Sequence, residues 1–302
     1  MENQFIFIID DARIEAQALL LMATLDRHCA GRAKLIAYVP EARMMGLSAL
    51  KHAMIAACQV EIRSFSVANH FWRKPYPHGN KIIACADAEH QADPDVRRIT
   101  FFDSDMLAVA DLTKHLPQSE AVLAAPEGLA TWGGNTDEKW RRAYGFFDLE
   151  LPQRRVRLTR GRRLESLPYF NAGLVSFSTT KAGFAAEWLE TARLFDRCPI
   201  ANKRPWLDQI SLPLALARGG FDWQALPEEF NYSLTERKRR RLPKGVIVAH
   251  YHRGGYLSAF PGLMHDAIHT AMARLPSGQA ADLLSFLKRH LGLGLTEPAL
   301  DA

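Results

Sequence analysis

The sequence holds little cysteine, and what it has is scattered. Cys29, Cys58, Cys85 and Cys198 are the four in 302 residues, and no two of them form a C-x-x-C pair. That spacing excludes a zinc knuckle or a disulfide scaffold and suits buried thiols in a reducing compartment. Long apolar runs are missing too: none approaches the roughly 18 residues that a membrane span needs. The opening MENQFIFIIDDARIE has no basic leader region and turns acidic by residue 10, so the expected location is the cytoplasm. A strong charge of either sign is also absent. Lys and Arg number 38 against 33 Asp and Glu, too small an excess for a nucleic-acid-binding surface, and no nucleic acid partner is expected. There are no repeats and no Pro-, Gly- or Ser-rich linker to mark a domain cut. With 48% apolar residues, the chain can bury a substantial core as one composite domain over 1–302.

What is present is alternation. QFIFIID reads as a buried strand, ARIEAQALLLMATLDRH as a helix, KLIAYVP as a strand, MMGLSALKHAMIAAC as a helix and QVEIRSF as a strand. KIIACADAEH is then a helix leading into the strand RITFFDSD. Such alternation predicts an α/β fold with a mostly parallel sheet, helices on both faces, and ligands beyond the carboxyl ends of the strands. Asp10, Asp11, Asp103 and Asp105 sit at such ends. Further on, AVLAAPE, GLVSFS and VIVAHYH read as strands, and TKAGFAAEWLETARLF and WLDQISLPLALA as helices. LMHDAIHTAMARL and ADLLSFLKRHLGL read as closing helices within 262–302.

The carboxylate pair in FFDSDM needs a purpose, because ionised carboxylates are expensive to bury unpaired. The pair can cap a helix-like turn, MLAVADL, where negative charge is favourable. It can serve a phosphatase of the haloacid-dehalogenase type as nucleophile and acid. Those enzymes usually carry Gly and then Thr or Val after the second Asp, near the N-terminus, whereas Met106 and Leu107 follow here. It can also hold a divalent cation on a nucleoside diphosphate, since Mg²⁺ and Mn²⁺ favour octahedral oxygen coordination.

FFDSDM is followed in order by PYFNAGLVSFS, WLDQISL, LPEEFNY and VIVAHYHRGG. Together these segments resemble glycosyltransferases of the GT-A fold, most closely the glycogenin-like and lipopolysaccharide galactosyltransferase-like group called family 8. The resemblance covers residues 1–255. It implies a GT-A type, Rossmann-like α/β/α sandwich, with 1–105 as the nucleotide-binding half and 106–261 as the sugar and acceptor half. It implies a nucleotide-sugar donor carrying UDP and a glycan or lipid-linked acceptor, with retention of anomeric configuration; the sequence leaves inversion open, which would need a base, with Asp208 the candidate. Asp103, Asp105 and His250 would hold Mn²⁺ or Mg²⁺, with Ser104 between the two carboxylates at the donor. His252 is expected to point away from His250. Asp208, Gln209 and Asn171 would surround the donor sugar and its anomeric carbon, Gly173 would let the backbone approach it, and Lys81 would contact the donor, the alternative being a solvated Lys on a helix face. Asp11 would meet the base or ribose, the alternative being a simple helix N-cap. Three departures stand out: Arg13 where relatives carry Tyr, Ile210 where they often carry Asp, and HYHRGG without the following K-P-W, which leaves Arg253 to supply that charge. A non-catalytic nucleotide-sugar or glycan-binding relative is the alternative to an enzyme.

Two basic runs remain. RRVRLTRGRR at 154–163 alternates like a hairpin, expected near the acceptor cleft. ERKRRR at 236–241 fits a peripheral contact with an anionic membrane or an acidic acceptor, against a solvated face. His265 and His269, four apart on a helix with no carboxylate to complete them, fit a surface helix better than a metal pair. The oligomeric state is not legible.

Overall fold

The computed structural model describes residues 1–46, 48–66, 71–134, 136–160, 162–235 and 241–293. The first half runs β1 (Asn3–Ile8), α1 (Ala12–Cys29), β2 (Ala33–Pro40), α2 (Ala49–Ala57), β3 (Glu61–Phe65), α3 (Asn80–His90) and β4 (Arg98–Phe102). The chain continues through β5 (Met106–Ala108), β6 (Val122–Pro126), α4 (Glu138–Gly145), β7 (Val156–Arg157), β8 (Glu165–Ser166) and β9 (Phe170–Ser178). After α5 (Phe184–Arg197), α6 (Leu207–Arg218) and β10 (Trp223–Ala225) come the short β11 (Tyr232–Ser233) and β12 (Val248–His250). Helices α7 (Gly254–Ser258), α8 (Pro261–Met272) and α9 (Ala280–Leu291) follow.

Seven strands form the central sheet in the order β10-β6-β9-β4-β1-β2-β3. All pairings are parallel except those of β9, which is antiparallel to β4 and β6. The period of β1 explains the two cores. Side chains alternate across a strand, so Phe5, Phe7 and Ile9 enter the core shared with α1, α8 and α9, while Ile6 and Ile8 enter the one shared with α3, α5 and α6. Helix α1 is buried along nearly its whole length because it lies between the sheet and the C-terminal helices, where an all-round apolar helix belongs. Arg27 to Asp266 and Arg274 to Asp26, each 2.8 Å, fasten α8 to it.

A second sheet, β11-β12-β5, positions the site. The expected helix-like turn MLAVADL is instead strand β5, antiparallel to β12 with Met106 opposite His250. Its three residues are buried apolar side chains, and backbone pairing to β12 overrides the local turn propensity. The helix that Asp103 and Asp105 were to cap is therefore not there. The strand read in VIVAHYH stops at His250. The run 154–163 does contain a hairpin strand, with β7 pairing β8. Most of ERKRRR, residues 236–240, lies outside the described residues. Among the described residues, no helix is long and apolar enough to cross a membrane.

Candidate active site

Three strand ends converge on the D-x-D turn. Asp103 leaves β4 with its N–H donating to Gly173 O at 2.7 Å, which joins the turn to the start of β9. Ser104 is buried, and its hydroxyl donates to Ile8 O at 2.6 Å, tying the turn to the end of β1. Asp105 is carried to β12 by the β5 pairing, where Tyr251 N–H donates to its carbonyl at 3.0 Å. His250 Nε2 then stands 3.1 Å from the Asp105 carboxylate. Gly173 is enclosed: a Cβ there would lie 2.8 Å from Asn171 Oδ1, 2.8 Å from His250 Cε1 and 2.9 Å from Met106 Cε. No side chain larger than hydrogen fits without moving the imidazole.

The tautomer of His250 is fixed by a relay that starts at a carboxylate. Glu127, at the end of β6, accepts from Asn171 Nδ2 at 2.9 Å. Asn171 Oδ1 therefore faces two donors, Gly173 N–H at 3.0 Å and Asn231 Nδ2 at 2.8 Å. Asn231 Oδ1 is left to accept from His250 Nδ1, 2.9 Å away. The proton on Nδ1 directs Nε2 toward Asp105, an outer hydrogen bond of the kind that orients a ligating imidazole. Arg160 stands 3.8 Å from Glu127 Oε1 at the far end of the relay.

Lys81 is not solvated. It is buried, with Nζ 2.8 Å from Asp103 Oδ1, 3.1 Å from Asp103 Oδ2 and 3.0 Å from Asp208 Oδ2. The other oxygen of Asp208 accepts from Tyr76 O–H at 2.8 Å. Beside it on α6, Gln209 accepts from Tyr169 O–H at 3.0 Å, and its Nε2 has no protein partner among the described residues. Asp11 caps α1 through Oδ1, accepting from Arg13 N–H at 3.0 Å and Ile14 N–H at 2.9 Å. The capping role is thus the one the structure displays. Arg253 lies over the Tyr256 ring at 4.4 Å and donates to its hydroxyl.

His252 corrects an expectation. Residues two apart on a strand share a face, and the chain past β12 turns through φ 57° at His252. Its ring stacks on that of His250, with centroids 3.7 Å apart and planes at 29°. Asp105, His250 and His252 each offer a ligand atom, all within 4.8 Å of one another. Asp103 stands on Lys81 at the side of this group.

These contacts set the charges. Burial disfavours ionised Asp105, yet the charge and hydrogen bond of His250 outweigh it and hold Asp105 well below the usual carboxylate range. For Asp103, burial wins and raises the pKa, with Asp105 adding to it and Lys81 opposing. Burial would lower Lys81, but Asp103 and Asp208 raise it, so the ammonium persists. His250 is raised because Asp105 overcomes the burial penalty. Burial, helped by the His250 charge, lowers His252 to about 3, which keeps that imidazole neutral.

The sequence singled out neither Glu127 nor Tyr76 and Tyr169. A polar residue ending the strand AVLAAPE was a usable signal for Glu127, since ligands meet open sheets at strand ends. Asn231 lay within the quoted LPEEFNY without a role. A cavity of about 520 Å³ opens between the segment after β6 and the β7–β8 hairpin. Ala130, Trp140, Leu158 and Leu164 supply its apolar lining, and Asp137, Arg155, Arg162 and Glu165 its charges. The Trp140 ring meets that of Tyr169 edge-on at 5.5 Å.

A parallel sheet with one reversed strand, carrying a D-x-D turn and a strand-end histidine along one edge, is the build of a GT-A glycosyltransferase. The chain belongs to the Rhodobacterales glycosyltransferase domain family, whose profile matches residues 5–220. That membership makes the protein a transferase and sets aside the phosphatase and non-catalytic readings. Solved structures share the fold. The apo form of mouse xyloside xylosyltransferase 1 is 12% identical with a TM-score of 0.51, over 83% of this chain and 98% of that one. The apo bifunctional glycosyltransferase WbbM gives 15% and 0.58, over 94% of this chain, which spans only 51% of WbbM. An active-site mutant of LgtC gives 14% and 0.51, over 82% and 86%. No curated protein matches the chain.

Proposed function

We propose that the enzyme moves a hexose from a nucleoside diphosphate sugar, UDP-glucose or UDP-galactose, to a glycan or lipid-linked acceptor. The observation that carries this reading is the convergence of Asp105, His250 and the Lys81–Asp208 pair at the carboxyl edge of the sheet. The donor set suits a divalent cation: a carboxylate beside an imidazole whose other nitrogen is already hydrogen-bonded. Asp103, Asp105 and His250 would hold Mn²⁺ or Mg²⁺, and the bound cation supplies Lewis-acid neutralisation of the departing diphosphate. Lys81 adds a fixed positive charge that cannot be lost near neutral pH, and it holds Asp103 and Asp208 in place. Gln209 presents its free amide N–H groups toward the sugar. Ser104 and Gly173 shape the floor, with Asn171 fixing its neighbours rather than reaching for the donor.

Retention of configuration fits Asp208. An inverting reaction needs a base with an accessible oxygen, yet Asp208 is buried with one oxygen on Tyr76 and the other on Lys81. With Asp208 held in this way, the leaving phosphate itself would take the acceptor proton. The cavity lined by Trp140, whose ring packs on Tyr169, is the approach assigned to the acceptor. A thermal-shift series tests the donor reading: UDP stabilises the protein with Mn²⁺ or Mg²⁺ present and fails to do so in EDTA. Equal stabilisation in EDTA refutes it.

A further inference from the structure

The reading above takes one histidine from the strand end, and the fold delivers a second. We propose that His252 is a direct metal ligand, so that one carboxylate and two imidazoles, Asp105, His250 and His252, hold the cation. The site then selects a transition-metal ion over Mg²⁺ and takes it up before any nucleotide arrives. This inference rests on the site holding a divalent cation and revises the ligand set given above: His252 takes the place of Asp103, whose oxygens are held by Lys81, and the metal preference and order of loading follow from that exchange.

Four observations carry it. The three ligand atoms lie within 4.8 Å of one another, close enough for a single ion to draw them in. The positive φ at His252 turns the chain so that its ring stacks on His250 instead of leaving along the strand direction. Each ring has one nitrogen held from behind: His250 Nδ1 by Asn231 Oδ1, and His252 Nε2 by Ser233 Oγ, both at 2.9 Å. Each outer partner therefore leaves the other ring nitrogen for a cation: Nε2 of His250, which already stands 3.1 Å from the Asp105 carboxylate, and Nδ1 of His252. Such outer partners fix the tautomer of ligating histidines. Finally, both Asp103 oxygens lie within 3.1 Å of Lys81 Nζ, so the group is poor in oxygen donors and rich in nitrogen.

Ligand chemistry turns this into selectivity. Mg²⁺ favours oxygen in an octahedron and gives up its water reluctantly, whereas imidazole suits ions further along the first transition row. Three protein ligands also form a site without phosphate oxygens.

The full chain with metal alone provides the test. Mn²⁺ added without nucleotide should show electron-spin-echo coupling to two imidazole nitrogens in the wild type and to one in His252→Gln. Co²⁺ affinity, read from its visible absorption, should fall at least about tenfold in His252→Ala and in His252→Gln, and by roughly tenfold in Ser233→Ala, which removes only the outer partner. Excess Mg²⁺ should not displace Co²⁺ from the wild type. Circular dichroism in EDTA checks each fold, and the Gln variant decides if the Ala variant does not fold. One nitrogen in both proteins, unchanged Co²⁺ affinity, or displacement by equimolar Mg²⁺ overturns the proposal. If UDP binding still needs Mn²⁺ while His252 variants behave as wild type, the donor reading stands and only the ligand assignment falls. Absence of divalent-ion binding with or without UDP removes both.

Discussion

Replacing Lys81 with Met tests whether the ion bridge between β4 and α6 supports the fold as well as the site. The ammonium lies between Asp103 and Asp208, with side chains 7%, 27% and 5% exposed. Removing one member of a buried pair leaves a desolvated charge behind and costs roughly 3–5 kcal/mol. At about 2 °C per kcal/mol for a chain of this size, the melting temperature falls by roughly 6–10 °C. Acidity gives the sign. Asp103 already has its folded pKa above the unfolded value through burial, and loss of Lys81 raises it further. A carboxyl shifted upward favours the native state below its unfolded pKa and costs stability as pH rises through the folded one. The deficit of Lys81→Met is therefore largest near about pH 8 and shrinks toward about pH 5, where protonation removes the uncompensated charge. Urea titrations of both proteins at the two pH values measure it. Adding Asp103→Asn and Asp208→Asn to the Met variant should recover most of the loss. A deficit under about 1 kcal/mol, the size expected of an exposed pair, or one that ignores pH, refutes the reasoning.

Gly173→Ala should cost roughly 1–3 kcal/mol from overpacking and weaken Mn²⁺-dependent UDP binding, because the new methyl presses on His250; calorimetry showing unchanged binding would contradict the close packing. Tyr169→Phe leaves Gln209 Oε1 without its donor, and a net loss of roughly 1 kcal/mol corresponds to about a fivefold slower turnover. Donor affinity should stay as in the wild type, and an unaltered kcat would count against a role for Gln209. Replacing Arg237, Lys238, Arg239, Arg240 and Arg241 by Gln should abolish sedimentation with anionic liposomes at low salt, each basic residue contributing on the order of 1 kcal/mol. A wild type that ignores such liposomes removes the membrane contact.

The β-α alternation, the parallel sheet and the position of Asp103, Asp105 and His250 at strand ends were legible because they rest on local periodicity and chain order. What surrounds those residues was not. Asn231 reaches His250 across 19 positions and Glu127 reaches Asn171 across 44, and no local pattern encodes such pairings. Lys81 reads as a surface residue on a helix face until Asp103 and Asp208 are brought to it. The direction of His252 was misjudged because the strand stops at His250 and the chain then turns through a positive φ at His252, which strand periodicity does not describe. MLAVADL failed because three apolar residues carry too little pattern to tell a strand from a turn when the partner strand lies about 140 positions downstream.

Strand β9 enters the sheet antiparallel between β4 and β6, and Glu127 N–H donates to Tyr169 O at 2.9 Å. The segment from 128 to 168 therefore leaves and re-enters the scaffold at nearly one point. Closing a loop twice as long adds only about 0.6 kcal/mol, so this stretch can change length cheaply at its exposed positions, while Trp132, Trp140 and Tyr144 anchor it in the core shared with α5. Arg160, against Glu127, and the buried Trp132, Trp140 and Tyr144 are residues that an exchange of this stretch would have to keep. On the proposed acceptor approach, a graft that exchanges the exposed positions of this excursion between family members should change what receives the sugar without changing which sugar is given.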